Sequence, residues 1–304
     1  MRILWILSDG KRGHENQSLG LAEAFARIQP YAPHLIELPH EESLLKRFAR
    51  LREAIAQNPT PQWIFAAGHS THLLLLYAGW MTGARTVVLM KPSLPMRAFD
   101  YCLIPRHDLK NPPKALPPNA IVTHGAVNRM RFESKRKDGS GVLLLGGPSR
   151  AYGWDAGELL NQVVSVVRAE PGRRWLITNS PRTPEGFMEQ VQAALPQAEV
   201  CPVESTPADW LPQVLAAATV AWVTEDSVSM IYEALTAGAR VGIFAMPAKG
   251  AESKHSRGVT ELKQAGYVRT WADWQADPTA EPSHPPLAEA DRCASLILGM
   301  ASDD

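Results

Sequence analysis

The strongest constraint on the fold is a regular alternation of short apolar runs with stretches of helical periodicity. Residues 220–246 show one complete unit: the apolar run Val220–Val223, a polar loop, a helical pattern that reaches Leu235, and a second apolar run at Val241–Phe244. Apolar runs of this length are typical of buried strands. Their alternation with helices at this spacing predicts a parallel sheet, and therefore an α/β fold class.

The alternation starts twice along the chain. The first half predicts strands at 3–7, 35–38, 63–67, 86–90, 101–104 and 121–123, and helices at about 15–28, 44–56 and 71–81. The second half predicts strands at 142–145, 175–178, 200–203, 220–223, 241–244 and 268–271, and helices at 155–168, 184–195, 210–217, 254–265 and 287–299. The Pro-rich stretch 273–286 is expected to be irregular.

The charged stretch Met130–Ser140 separates the two halves and has no periodicity. We interpret it as a linker, although such a charge run is also typical of a solvated surface. Two doubly wound, Rossmann-like domains are therefore expected, at residues 1–133 and 141–275. Two such domains are expected to face a cleft, where ligands commonly bind.

Composition narrows the class of protein. The chain has 304 residues, 45% of them hydrophobic and 20% charged, which is typical of a globular protein. Its 31 basic and 31 acidic residues give no net charge, so no nucleic-acid partner is expected. The cysteines Cys102, Cys201 and Cys293 are far apart, which favours isolated buried thiols in a reducing compartment. No signal peptide or membrane-spanning run is recognised, so a cytoplasmic protein is expected, with peripheral contact at the inner membrane left open.

Polar residues follow several predicted strands, where ligands of parallel α/β sheets bind. Gly146-Gly147-Pro148-Ser149 comes after the first strand of the second half, and its glycines would let backbone N–H groups approach an anion. The alternative is a tight turn without a ligand. The loop matches neither G-x-G-x-x-G nor a Walker A sequence, so a dinucleotide or P-loop site is not supported.

Two further loops complete the site predicted in the second half. Asn179 and Ser180, with Arg182, suit a pyrophosphate, although capping of a helix at Pro184 by Thr183 is the alternative. In the last loop Ser227 can cap a helix on which Ser229 and Glu233 share one face, and Glu233 could accept both ribose hydroxyls. The alternative there is an N-cap with acidic residues that favour the helix dipole. The nucleotide-sugar site predicted from these loops comprises Gly146, Gly147, Ser149, Asn179, Ser180, Arg182, Thr224, Glu225, Asp226, Ser227, Ser229 and Glu233.

The first half carries polar loops of its own. His14 and Asp9 lie where the first strand joins its helix, and either is a candidate general base. A flexible loop with a surface histidine is the alternative. Other strand ends carry polar or cationic groups that suggest an anionic or phosphate-bearing acceptor, at Lys11, Arg12, Gly13, His69, Lys91, Arg106 and His107. No metal or cofactor is expected, because the histidines lack a ligand spacing such as H-x-x-x-H, and the absence of Gly-x-Ser-x-Gly argues against a hydrolase elbow.

Motifs along nearly the whole chain resemble those of a known family. In chain order they are Ser8-Asp9-Gly10, Gly13-His14-Glu15-Asn16-Gln17, Phe99-Asp100-Tyr101, Pro105-Arg106-His107-Asp108, Thr123-His124-Gly125-Ala126, Gly146-Gly147-Pro148-Ser149, Thr178–Pro184, Thr224–Met230 and Glu233-Ala234. This series is similar to the mitochondrial fission Elm (elongated mitochondria) family, bacterial type. The family commonly carries Thr-Ser-Arg-Arg-Thr-Pro where this chain has Pro181 in place of one arginine.

The resemblance implies a GT-B-like fold, in which a C-terminal helix within residues 286–304 crosses back to the first domain. It implies a metal-independent glycosyltransferase of cell-envelope glycan synthesis that takes a nucleotide-sugar donor and an anionic or lipid-linked acceptor. Some members are labelled nucleoside-diphosphate-sugar epimerases, so a non-hydrolysing epimerase is the second hypothesis, with His107, Asp108 and His255 as acid/base candidates. A non-catalytic membrane-fission or scaffold protein is the third.

Overall fold

The computed structural model describes residues 2–109, 115–207, 209–250, 254–282 and 284–301, without the side chains of Arg136, Lys254, His255 and Ser256. The chain forms two compact units, one of Met1–Arg129 with Ala288–Asp304 and one of Met130–Leu287. None of the helices in the described ranges combines the length and the apolar character needed to cross a lipid bilayer.

Unit 1 is a parallel sheet with helices on both faces. Its strands are β1 (Arg2–Ser8), β2 (Tyr31–Glu37), β3 (Trp63–Ala67), β4 (Arg85–Leu89), β5 (Tyr101–Pro105) and β6 (Ala120–Thr123). Its helices are α1 (Arg12–Ile28), α2 (Leu44–Gln57), α3 (His72–Thr82) and α10 (Glu289–Met300). The strand order is β2-β1-β3-β4-β5-β6, and β1 pairs in parallel with both β2 and β3.

The apolar run of β1 is continuous because both faces of the sheet are covered. Leu4 and Ile6 belong to the core that α1 and α10 cover, whereas Trp5 and Leu7 belong to the core beneath α2 and α3. Successive side chains of a strand point to opposite faces. A strand buried on both sides therefore carries apolar residues at every position rather than at alternate ones.

Unit 2 repeats this layered architecture. Its strands are β7 (Gly141–Leu145), β8 (Trp175–Asn179), β9 (Glu199–Val200), β10 (Val220–Thr224), β11 (Arg240–Phe244) and β12 (Val268–Thr270). Its helices are α4 (Ala156–Ala169), α5 (Phe187–Ala194), α6 (Trp210–Ala217), α7 (Val228–Thr236), α8 (Lys254–Gln264) and α9 (Trp271–Ala276). The strand order is β12-β11-β10-β7-β8-β9. Two parallel sheets with helices on both faces confirm the predicted α/β class.

The stretch interpreted as a linker packs onto unit 2. The Lys137 ammonium donates to the carbonyls of Leu215 and Ala218 at the end of α6, and burial lowers its pKa to about 8. The ring of Phe132 lies against Gly238, where an added Cβ would come within 2.4 Å of it. Residues 130–140 therefore form part of the surface of unit 2 and are not a free connection.

The structure differs from the sequence-based prediction in several places, among them β2, which begins at Tyr31 rather than Leu35, and β9, which covers only Glu199–Val200. Helix α1 starts at Arg12 rather than near Glu15, so Arg12 and Gly13 lie in its first turn. Part of the stretch expected to be irregular forms α9, where Thr270 and Asp273 form a reciprocal capping box. Of the three cysteines expected to be buried, Cys102 and Cys293 are buried but Cys201 is only partly buried.

In each unit, two neighbouring central strands send their connections in opposite directions. These strands are β1 and β3 in unit 1, and β7 and β10 in unit 2. Such a switch point leaves a crevice at the carboxyl ends of the strands, where ligands of doubly wound sheets bind. Ligand-binding residues are therefore expected in the loops after β1, β3, β7 and β10.

Candidate functional site

The loops after β7 and β10 meet at the switch point of unit 2. The Gly146 N–H donates to Thr224 Oγ1 at 2.7 Å, and the Gly147 N–H donates to Asp226 Oδ2 at 3.2 Å. Both backbone N–H groups that were predicted to bind an anion thus donate to side chains of the protein itself. The glycine loop and the β10 loop consequently form one hydrogen-bonded floor.

The two glycines are required by close approach rather than by unusual backbone angles. A Cβ on Gly146 would lie 2.2 Å from Asp226 Oδ1, and a Cβ on Gly147 would lie 2.1 Å from the carbonyl oxygen of Arg182. The second contact is with backbone, so it cannot be relieved by a rotamer change. The loops after β7 and β8 can approach this closely only without a side chain at Gly147.

Gly147→Ala is expected to lower the free energy of unfolding by about 2 kcal/mol or more, because backbone must shift to admit the methyl group. Urea denaturation of the variant and the wild type measures this. The matched control is Gly157→Ala in α4, where an added Cβ meets only Asp155 Oδ1 at 3.6 Å. Removing a helical glycine should leave stability unchanged or raise it by up to about 1 kcal/mol. Equal stability of Gly147→Ala and the wild type would contradict the close approach.

Arg182 faces a carboxylate of the protein itself. Its Nη2 lies 2.7 Å from Asp226 Oδ2, with the Arg182 side chain 45% exposed and that of Asp226 fully buried. The same nitrogen lies 3.3 Å from Ser227 Oγ. The Ser227 hydroxyl also approaches Asp226 and makes no cap hydrogen bond to α7, so the capping role considered for Ser227 is wrong.

The neighbouring loop is held by Thr183 in a way that also differs from expectation. Its hydroxyl donates to the Gly146 carbonyl at 2.5 Å and accepts from the Ser180 N–H at 3.0 Å. Helix α5 begins at Phe187, beyond Pro184, so Thr183 does not cap it. Thr183 instead joins the loops that follow β7 and β8.

Several other residues predicted to bind a ligand hold loops together in the structure. Asn179 Oδ1 accepts from the Val203 N–H at 2.8 Å, and Ser149 Oγ accepts from the Tyr152 N–H at 3.1 Å. Glu225 Oε2 accepts from the Met246 N–H at 3.4 Å. These side chains shape the carboxyl edge of the sheet, and some of their polar atoms already form hydrogen bonds with the backbone.

Helix α7 provides the groups that are left for a ligand. No side chain caps its start at Val228, so N–H groups of its first turn are not taken up by a cap. Ser229 is exposed and Glu233, one turn further, is partly buried. Burial raises the pKa of Glu233 to about 7, and within the described part of the chain no hydrogen bond or ion pair engages its carboxyl group.

Tyr152 is a candidate that the sequence did not single out. It is 2% exposed, and its hydroxyl has no hydrogen-bond partner among the described residues. Burial first, and then the charges of Glu225 and Asp226, raise its pKa. The hydroxyl therefore stays protonated beside two carboxylates. Only its place three residues after Ser149 could have pointed to it.

The switch point of unit 1 holds a carboxylate–imidazole pair. His14 Nδ1 lies 3.0 Å from Asp9 Oδ2 and 3.1 Å from Oδ1. The Ser70 hydroxyl donates to Asp9 Oδ2 at 2.9 Å, and the Lys11 N–H donates to Oδ1 at 3.2 Å. Asp9 is 1% exposed and follows β1, whereas Ser70 follows β3. The two loops that the switch point brings together thus share one buried carboxylate.

The groups around Asp9 determine its charge state. Burial alone would raise the pKa of Asp9, but His14, Ser70 and the Lys11 N–H together hold it below its ordinary value of 3.8. An ionised Asp9 accepts a hydrogen bond from His14 Nδ1–H, which leaves Nε2 as the ring nitrogen that can accept a proton. A buried carboxylate that orients an imidazole is an arrangement found around general bases.

Gly68 makes room for the imidazole. A Cβ on Gly68 would lie 2.4 Å from His14 Nδ1, and its φ of +91° is in the region that favours glycine. Both facts follow from the tight turn after β3 that carries Ser70 to Asp9. The sequence placed a glycine at this strand end without indicating that it lies against His14.

The remaining residues of the predicted acceptor side lie at the same edge of the unit 1 sheet. All of them follow carboxyl ends of strands, and all except the partly buried His107 are exposed: Lys11, Arg12, Gly13, His69, Lys91, Arg106 and His107. Met90, next to Lys91, has a φ of +75°, which is rare for a residue other than glycine. The nearby His72 is buried, and its Nδ1 forms a hydrogen bond with Ser93 Oγ at 3.0 Å. Burial and the charge of His69 lower the pKa of His72 to about 4.

Known proteins share the architecture that carries these loops. The chain is 23% identical to the uncharacterized protein RP120 of Rickettsia prowazekii (strain Madrid E), with 97% of each chain covered. It is also similar to the structure of UDP-GlcNAc 2-epimerase from Methanocaldococcus jannaschii, at a TM-score of 0.61 and 10% identity over 100% of both chains. MurG of Acinetobacter baumannii is similar at a TM-score of 0.53 and 11% identity, with 99% of this chain and 100% of that one covered.

The family model described as mitochondrial fission ELM1 matches residues 12–300. This match includes His14 of the unit 1 pair and the whole of unit 2. It begins at the first residue of α1 and ends at the last residue of α10, so it covers unit 2 and most of unit 1 but not β1 or Asp9. The chain belongs to the mitochondrial fission ELM1 family.

Proposed function

We propose that unit 2 binds a nucleotide-activated sugar at the carboxyl edge of its sheet. The observation that carries this proposal is the Glu233 carboxyl group, which is partly buried on α7 and engages no described partner. A carboxylate at this depth accepts two hydroxyl hydrogens well, and the ribose of a nucleotide offers two adjacent hydroxyls. Ser229, on the same helix face, adds a hydroxyl nearer the start of α7.

The diphosphate is assigned to the start of α7. Uncapped N–H groups and the helix dipole favour an anion at that position. Arg182 contributes through a half-exposed guanidinium that Asp226 already orients. The Tyr152 hydroxyl supplies a further protonated donor close to Asp226 and Glu225. Thr224, Asn179 and the glycine loop act as supports that fix these groups in place.

The first candidate reaction is transfer of the sugar to an acceptor. For this reaction we propose His14 Nε2 as the base that takes the acceptor's proton. Asp9 holds the ring and stabilises its charged form. The start of α7 stabilises the charge that develops on the departing diphosphate. We propose that the acceptor is an anionic or lipid-linked molecule, which the exposed Lys11, Lys91 and Arg106 would attract.

A second candidate is epimerisation of the nucleotide sugar itself. The similar Methanocaldococcus jannaschii protein is a UDP-GlcNAc 2-epimerase by its description. This reaction needs an acid/base pair at the sugar but no acceptor. His107 and Asp108 lie in the turn after β5, and the side chain of His255 lies outside the described residues. A non-catalytic role, with contact to a membrane, is the third candidate.

A panel of nucleotide sugars distinguishes these functions. Thermal melting is first measured with UDP, GDP, CMP and dTDP sugars, because a ligand at a concentration of about 100 Kd stabilises the folded state by roughly 2.7 kcal/mol. Donors that bind are then incubated alone, and the products are separated. Free nucleotide with transferred sugar on addition of acceptor supports the transferase, and an isomerised donor in the absence of acceptor supports the epimerase. Absence of any stabilisation across the panel would overturn the nucleotide-sugar proposal.

A further inference from the structure

The outer face of α3 is apolar, with Leu73 and Trp80 exposed and Leu76 and Tyr77 partly buried against the core. Leu73, Leu76, Tyr77 and Trp80 recur at helical spacing on the side opposite the buried Leu74. Leu73 is 49% exposed and Trp80 is 79% exposed. No charged residue lies between His72 and Thr82. The helix is thus apolar on both sides, which is not typical of a helix that covers a sheet in water.

Helix α2 continues this apolar face. The Phe48 ring on α2 meets the Tyr77 ring on α3 edge-on, at 5.2 Å between centroids. Leu45 lies one turn before Phe48 on α2 and is 83% exposed. Ala49, one turn after Leu45, is also exposed. We define the α2–α3 face as Leu45, Phe48, Ala49, Leu73, Leu76, Tyr77 and Trp80. A face of this kind in contact with water is a recognised mark of an interaction surface.

Cations lie beside the face. Lys46 and Arg52 on α2 are exposed, and neither forms an ion pair with a described residue. Arg50, also on α2, is paired with Glu42 at 2.7 Å, and Glu53 is the acidic residue of the helix. Exposed leucine and tryptophan flanked by unpaired lysine and arginine match the composition of helices that lie in the surface of a bilayer.

We propose that the α2–α3 face docks on the surface of a membrane rich in anionic lipids. Trp80, Leu45 and Leu73 enter the region between headgroups and acyl chains, and Lys46 and Arg52 meet the lipid phosphates. This proposal names the surface for the membrane contact suggested above, and it does not depend on the nucleotide-sugar site.

A second copy of the chain is the competing occupant. A two-fold pairing of this face would bring Lys46 and Arg52 of one protomer towards the same residues of the other, because such an interface presents the same patch twice. Only Glu53 among the exposed residues of α2 could offset their charge. Anionic lipid satisfies both cations at once, and charge complementarity therefore favours the membrane.

Vesicle co-sedimentation tests the proposal. The full chain is mixed with vesicles of phosphatidylcholine alone or with phosphatidylglycerol added, at low and at high salt. Variants are Leu45→Glu with Trp80→Glu for the apolar part, and Lys46→Glu with Arg52→Glu for the charges. Matched controls are Leu296→Glu on α10, where the leucine is also exposed (42%), and Arg168→Glu on α4. Thermal melting confirms that each variant is folded, and Trp80→Phe provides a conservative change.

The expected result is binding to the anionic vesicles that weakens as salt rises. Each double variant should lower the partition coefficient by at least roughly tenfold, since the first loses apolar burial and the second loses two cationic contacts with lipid phosphates. The two controls and Trp80→Phe should bind as the wild type does. Failure of the wild type to bind anionic vesicles would overturn the proposal, as would equal binding by the double variants. A dimer in solution that Leu45→Glu with Trp80→Glu dissociates, in a chain that binds no vesicles, would assign the face to self-association.

Discussion

Replacing Glu233 by glutamine is expected to weaken nucleotide binding and, at the same time, to stabilise the free protein above pH 7. The carboxylate is the proposed partner of the ribose hydroxyls, and losing a charge-assisted hydrogen-bond partner costs about 1–3 kcal/mol. Affinity for the tightest nucleotide of the panel should therefore fall roughly 5- to 150-fold. Isothermal titration calorimetry measures this change.

The stability effect follows from the pKa of Glu233. Burial raises this pKa from an ordinary value of 4.5 to about 7, so between these values the folded state holds the proton more tightly than the unfolded state does. The free energy of unfolding then falls as pH rises from about 4.5 to 7, by up to about 3 kcal/mol, and stays lower above pH 7. Glutamine does not ionise, so Glu233→Gln should avoid this loss.

The two effects of Glu233→Gln are measured separately, by titration with nucleotide and by urea denaturation between pH 5 and pH 8. The control is Glu189→Gln, which changes an exposed carboxyl group on α5 and should alter neither quantity. Nucleotide affinity that rises between pH 6 and pH 8 in the wild type, but not in Glu233→Gln, would identify the carboxylate as the binding form. Unchanged affinity in Glu233→Gln would contradict the assignment of the ribose to α7.

Replacing Asp9 by asparagine is expected to lower turnover by roughly 10²- to 10⁴-fold, the contribution typical of a positioned general base. Asparagine keeps the shape of the side chain but removes the charge that orients His14 Nδ1 and stabilises the charged ring. Nucleotide affinity should stay within about twofold of the wild-type value, because Asp9 bonds to His14, Ser70 and the Lys11 N–H, and none of these is assigned to the nucleotide. Release of nucleotide from the donor, measured with acceptor present, reports the rate.

The Asp9 prediction also has a pH dependence in the absence of substrate. The pKa of Asp9 is held below its ordinary value, so its ionised form stabilises the folded state above about pH 4, and this contribution is lost as pH falls through the folded pKa. Asp9→Asn removes this ionisable group, so the fall in the free energy of unfolding that Asp9 contributes at acid pH should be absent from the variant. The control is Glu37→Gln, which changes an exposed carboxyl group at the end of β2. Full turnover by a folded Asp9→Asn protein would show that the charge of Asp9 is not needed for catalysis and would contradict the proposed Asp9–His14 pair.

Most of the fold could be predicted from local patterns. The apolar runs of β1, β3, β7 and β10 are short and continuous, because both faces of each sheet are covered. Their boundaries were predicted to within one or two residues. Helix α9 was not, because its signal is the reciprocal cap between Thr270 and Asp273 within a Pro-rich stretch rather than an apolar period.

The candidate site was predicted in outline but not in its chemistry. Each loop at the two switch points was identified, since polar residues after buried strands are visible in the sequence. The sequence does not show which of these polar groups form hydrogen bonds or ion pairs with one another. Gly146 and Thr224 are 78 residues apart, and the Arg182–Asp226 ion pair joins two different loops. Glu233 was a candidate from the sequence, but only the structure shows that its carboxyl group engages no described partner, and only the structure adds Tyr152.

The sequence by itself determined the α/β class, the positions of the strands and the loops at their carboxyl ends, because hydrophobic period and turn chemistry are local properties. Only the tertiary structure decided that β7 lies beside β10 and β1 beside β3. Strand order depends on how helices cover the two faces of a sheet, which no short segment specifies. That order makes a floor of Thr224, Asp226 and the glycine loop, buries Asp9 against His14 and Ser70, and leaves the Glu233 carboxyl group without a described partner.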